Sequence, residues 1–212
     1  MKLLINKFTW VQTHKELVEY LKIKQDSQEE LIELLRNVGV TGLHDEYEEG
    51  KRVDLQEMGP FTFFCFLNQY GSKKVLTILQ NIAQQLDLTP PQGALGLPSA
   101  QALKVMMFSF GYSRRPEDIP NLWELFRQGL SHNVNEDLFE EVLNQYGVGK
   151  AKLTEVLFYV DPEYYYPIDR PTIPYLKEVL DIDPEFSTWN EYMSIIDRVK
   201  QSSDKPLYEL SS

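Results

Sequence analysis

Apolar residues recur at three- and four-residue spacing on both sides of one short glycine stretch, Gly147-Val148-Gly149. Before it, Leu138, Val142 and Leu143 fall on one helical face; after it, Leu153, Val156, Leu157 and Val160 do the same. This constrains the chain to a helix, a tight turn and a second helix. Glycine tolerates positive φ, and without a Cβ it lets another backbone approach closely. Such a turn leaves amide N–H groups at the start of the second helix, where the helix dipole also favours a phosphate oxygen. An aromatic loop, Tyr164-Tyr165-Tyr166-Pro167-Ile168, then leads to Asp169 and Arg170.

Helical spacing also dominates elsewhere. Thr13 is placed to cap a helix from His14 to about Lys22, with Trp10 as a staple before it. Ser27 and Glu30 have the spacing of a capping box ahead of Leu31, Ile32, Leu34 and Leu35. Gly39 and Gly42 close that helix, and His44 to Lys51 reads as a polar loop without a metal. Pro60 suits the first turn of a helix through Phe61–Leu67. Further helices are expected over Lys73–Leu86, Asn121–Leu130, from an Asn135 cap into the glycine turn, after Pro171, and over Ser187–Val199. Ala100–Phe108 fits either a short helix or an extended core segment. Clean two-residue alternation is missing and no fixed-period repeat is visible, so the expected fold is mainly α. The expected parts are 1–130 and 131–212, packed together as one domain.

A chain of 212 residues, 42% hydrophobic and 25% charged, has the composition of a globular protein with a real core. No apolar run is long enough to span a bilayer, and MKLLINKFTW lacks the apolar centre and cleavage site of a signal peptide. The lone Cys65, among phenylalanines, excludes an internal disulfide framework and a cysteine-based zinc site. A cytoplasmic location without membrane contact is expected. The net charge of −11 argues against broad nucleic-acid binding, which needs a basic face. Any such contact must be local, and the cations near the turn are Lys150, Lys152, Arg170 and Lys177. Arg114 and Arg115 read either as a phosphate or base clamp or as ion-pair partners of Glu117 and Asp118. Trp10 and Tyr164–Tyr166, Tyr165 among them, read either as base-stacking rings or as core.

The glycine turn resembles the helix-hairpin-helix element of DNA glycosylases, with Asp169 where that superfamily carries its catalytic aspartate. The bifunctional members' lysine position is Ala151 here, so the resemblance implies at most monofunctional chemistry. A longer set of segments resembles the N-terminal region of McrB-like proteins, the AAA-type NTPase subunits of modified-cytosine restriction systems. These are Gly42-Leu43-His44-Asp45, Gly59-Pro60-Phe61-Thr62-Phe63-Phe64, the run Asp118–Phe126, Gly147–Thr154, Tyr166–Thr172 and Lys205–Ser211.

That resemblance implies a DNA-recognition domain in restriction and phage defence, with DNA, including modified-base DNA, as ligand. It also implies a downstream AAA-type motor and a nuclease subunit as partners, this chain being an excised domain or a natural fragment. The residues that would hold the DNA backbone are Gly147, Val148, Gly149, Lys150 and Lys152. A Walker A loop is not formed: Asn144 and Ala151 stand where a glycine and a hydroxyl are needed, so no nucleotide hydrolysis, cofactor or metal is expected. The alternatives are a protein-interaction scaffold, which the acidic surface favours, and a monofunctional glycosylase acting through Asp169.

Overall fold

The computed structural model describes residues 7–100 and 105–211. It is mainly helical, as the apolar spacing predicts. In chain order the elements are α1 (Trp10–Leu21), α2 (Gln28–Asn37), β1 (His44–Glu48), β2 (Lys51–Asp54), α3 (Pro60–Leu67) and α4 (Ser72–Leu86). They continue with α5 (Asp118–Leu130), α6 (Glu136–Leu143), α7 (Gly149–Val160), a π-helical turn (Tyr175–Val179), α8 (Trp189–Gln201) and α9 (Leu207–Leu210).

Two helices sit at the centre. Every residue of α3 is buried, because it is apolar on all sides and touches α2, α4, α5 and α7. Its first residue, Pro60, occupies a position where a missing N–H costs nothing. The second central helix, α7, packs on α1, α3, α5 and α6. It therefore buries Phe158 and Tyr159 as well as the expected Leu153, Val156, Leu157 and Val160. Among the described residues, one hydrophobic cluster draws its buried side chains from Trp10 at one end of the chain to Leu207 at the other.

Several local expectations change. Thr13 is not a cap: α1 starts at Trp10, and the Thr13 hydroxyl donates to Thr89 O at 2.7 Å inside the fold. Trp10 is buried and donates to Leu95 O at 2.7 Å. Ser27 precedes α2 without a side-chain cap bond, and Glu30 pairs with Lys24 rather than closing a box. Asn135 does cap α6, accepting from Leu138 N at 2.9 Å. The unforeseen capping box is Thr188 with Glu191 at the head of α8.

The expected polar loop after His44 is instead an antiparallel hairpin, with His44 opposite Asp54 and Asp45 opposite Val53. Its strands are highly charged, so the inward residue is an aspartate and no apolar alternation marks it. Asp45 is fully buried and accepts from Arg114 Nη1 at 2.7 Å and from Gly111 N at 2.9 Å. Of the Ala100–Phe108 segment, 101–104 lie outside the described residues. Val105–Phe108 forms neither helix nor strand, and its Met107 and Phe108 are buried.

Candidate nucleic-acid interface

The turn between α6 and α7 uses both glycines for backbone reasons. Gly147 has φ +80° and Gly149 has φ +74°. A Cβ on Gly147 would also lie 3.0 Å from the Met106 carbonyl oxygen, whereas one on Gly149 would meet open space. The Val148 amide is used within the turn, donating to Gln145 O at 3.2 Å. The first amides of α7 have no carbonyl of their own helix to bond, as at any helix start. The turn borders a cleft of about 540 Å³ reached by Gly147, Gly149, Lys150, Lys152 and Glu155.

The two lysines of the turn differ. Lys150 is half-exposed; its Nζ pairs with Glu185 at 2.7 Å and lies 5.3 Å from the Phe186 ring centre. Lys152 is buried, and its Nζ donates to Gly147 O at 2.6 Å and to Met106 O at 3.3 Å. It ties the turn to the 105–108 segment.

Deeper along α7 stands Glu155, a residue that sequence reasoning passed over. Burial, and then repulsion from Asp169, push its carboxyl up to about 8, against the pull of Lys152. It is therefore mostly neutral at pH 7. Asp169 is 6% exposed. Burial raises its pKa, while hydrogen bonds from Thr172 act in the opposite direction. Its Oδ1 accepts from Thr172 N at 3.0 Å and lies 2.8 Å from the Thr172 hydroxyl, in the manner of a helix-start cap. The Thr154 hydroxyl accepts from Ile168 N at 2.9 Å and so moors this loop to α7.

The remaining candidates are dispersed. Arg114, its side chain 9% exposed, sits between Asp45 and Glu57, 2.7 and 3.3 Å away, and over the Phe108 ring. Arg115 pairs with Asp118 at 2.8 Å, and with Glu117 and Glu141 at 3.7 Å each. Arg170 is exposed. Tyr165 is fully buried, its hydroxyl donating to Gly129 O at 2.7 Å. Tyr166 is buried too, and Tyr164 stacks on His132 at 3.6 Å. The ring that does stand out at the turn is Tyr146, 76% exposed. Its place directly before Gly147, outside the apolar spacing of α6, was the available signal.

Among the described residues, no three His, Cys, Asp or Glu side chains come together as a metal site. Nor is any helix there long and apolar enough to cross a membrane. Residues 10–212 match a family described as a domain of unknown function, DUF8425. The chain belongs to the DUF8425 family. Comparison with curated proteins and with solved structures finds no match. In this DUF8425 chain, then, residue roles rest on the geometry around α6, α7 and the loop to Asp169.

Proposed function

We propose that the chain is a nucleic-acid-recognition module that holds a phosphate backbone at the turn between α6 and α7, used as a helix-hairpin-helix element. The observation that carries this reading is the pair of positive-φ glycines beside an open cleft at the start of α7. The amides of that first helical turn and Lys150 would face the phosphate. An exposed ion pair such as Lys150–Glu185 contributes little, so exchanging Glu185 for a phosphate costs little. Lys152 would act indirectly, by holding the shape of the turn. The resemblance to McrB-like proteins extends the reading to a specificity domain of a restriction NTPase. Its DNA ligand would include modified-base DNA, and motor and nuclease would be supplied by other parts of the system.

The test is fluorescence anisotropy with labelled duplex and single-stranded DNA at low salt, comparing wild type with Lys150→Glu. Lys152 is left intact because its loss would disturb the turn itself. Binding that falls at least about tenfold in Lys150→Glu supports the reading. Equal binding by both proteins, or by neither, overturns it.

The net charge of −11 favours a second reading, a protein-interaction scaffold, which predicts no DNA binding by either protein. A hydrolytic reading draws on Asp169 and the mostly neutral Glu155 near the turn. It requires abasic product from methylated or damaged duplexes, abolished in Asp169→Asn.

A further inference from the structure

Gly147 borders a second cleft on the other side of the turn. It holds about 480 Å³, within the range of small-molecule sites of roughly 300–1,000 Å³. Four elements supply its walls: the β1–β2 hairpin, the end of α3, the 105–110 segment and the turn before α7. The lining is strongly aromatic. His44 and Phe110 lie face to face, 6.1 Å apart and 29° from parallel. Phe108 lies deeper, and Tyr146 stands at the rim with most of its ring exposed. Two polar side chains join them. Arg52 is 73% exposed, with Glu46 as an ion partner only at 4.0 Å. Gln69 donates from its amide nitrogen to Phe66 O at 3.0 Å, which leaves the side-chain oxygen as an acceptor.

We propose that this cleft binds a nucleotide: a planar heteroaromatic ring carrying an anionic group. The rings of Tyr146, His44 and Phe110 would take the flat face. Gln69 would accept from a ring N–H, and Arg52 would meet the phosphate. A purely apolar guest would leave the arginine unused, and a purely anionic one would waste the aromatic walls. The chain carries a net charge of −11, so its surface repels anions on average, and among the described residues that line this cleft Arg52 supplies a local cation at its edge. The cleft is too small for a duplex, so the nucleotide is either free or an unpaired unit of a strand. Only the strand source rests on the proposed role of the neighbouring turn, with which the cleft shares Gly147.

Ligand-observed NMR and calorimetry on the full chain would test this, with the four 5′-mononucleotides, the matching nucleosides and a short single-stranded oligonucleotide. Tyr146→Ala and Arg52→Gln are both surface changes, checked for an unchanged thermal midpoint. Stacking losses of this kind predict that Tyr146→Ala weakens nucleotides and nucleosides about tenfold. Arg52→Gln should weaken nucleotides and leave nucleosides unchanged. A free-nucleotide source shows as mononucleotide binding insensitive to Lys150→Glu. A strand source shows as oligonucleotide binding that needs both Tyr146 and Lys150. If neither mononucleotide nor oligonucleotide binds at about 1 mM, or binding is unaltered in both cleft variants, the proposal is overturned. Oligonucleotide binding that needs Lys150 but not Tyr146 keeps the turn's role and removes the cleft's.

Discussion

The ammonium of Lys152 lies 2.6 Å from the carbonyl oxygen of Gly147, five residues behind it in the chain. A residue with the sequence credentials of a phosphate ligand thus holds the turn together from within. Lys152→Met removes the charge-assisted donor and leaves two carbonyls to find other partners. We expect a loss on the order of 2–3 kcal/mol, read as a lower urea midpoint with unchanged slope. Lys150→Met, which breaks a half-exposed ion pair and a cation–ring contact with Phe186, should change stability by less than about 1 kcal/mol.

The two glycines should differ under substitution. Gly149→Ala meets only the cost of a left-handed backbone, about 1–2 kcal/mol. Gly147→Ala bears the same cost and also forces a methyl to 3.0 Å from the Met106 carbonyl, so the segment behind the turn must move. Thermal midpoints should therefore fall further for Gly147→Ala than for Gly149→Ala.

Glu155 makes stability depend on alkaline pH. Its carboxyl titrates near 8 in the folded chain, well above its ordinary value of 4.5. The neutral form is the one the fold prefers. Stability from this group is complete below about pH 4.5 and is lost as pH rises through 8. Glu155→Gln should remove that loss, gaining on the order of 1–3 kcal/mol at pH 9 relative to wild type. Denaturant midpoints across pH 5–9 would show the two proteins diverging with rising pH.

His14 acts in the opposite direction. It is wholly buried; burial lowers its pKa from 6.5 to about 4, despite the bond between Nδ1 and Tyr159 O at 3.1 Å. Its neutral form is preferred, so its contribution is present above about pH 6.5 and is lost as pH falls through 4. The Phe64 ring stacks on His14 with centres 5.2 Å apart, an apolar neighbour that does nothing to solvate an imidazolium. His14→Phe should lose part of the wild-type acid sensitivity between pH 6.5 and 4, whatever its effect at pH 7.

The helices could be read from the chain because α2, α4, α5, α6 and α8 each have one apolar face and one wet one. Asn135 was legible as a cap for the same reason: polar residue, then helical spacing. The β1–β2 hairpin was not, since its buried partner for Arg114 is Asp45, and the pairing joins residues 69 apart in sequence. Charge that finds its partner at that range leaves no local pattern. The turn's glycines were legible, but not the division of labour between Lys150 and Lys152, which depends on where the Met106 carbonyl falls. Glu155 was hidden because its perturbation comes from burial and from Asp169, in the loop that follows its own helix. The tyrosine run shows the ambiguity directly: Tyr165 and Tyr166 lie in the core, while Tyr146 holds the exposed place.

The measurement that bears most directly on the proposal that the turn holds phosphate is duplex affinity as a function of salt, for wild type and Lys150→Glu. One lysine and a set of neutral amides predict a weak complex with a shallow dependence, log K falling against log salt with a slope of about −1. Lys150→Glu should flatten that slope and weaken binding. A slope unchanged by the substitution, or no binding by wild type at the lowest salt, would contradict the account.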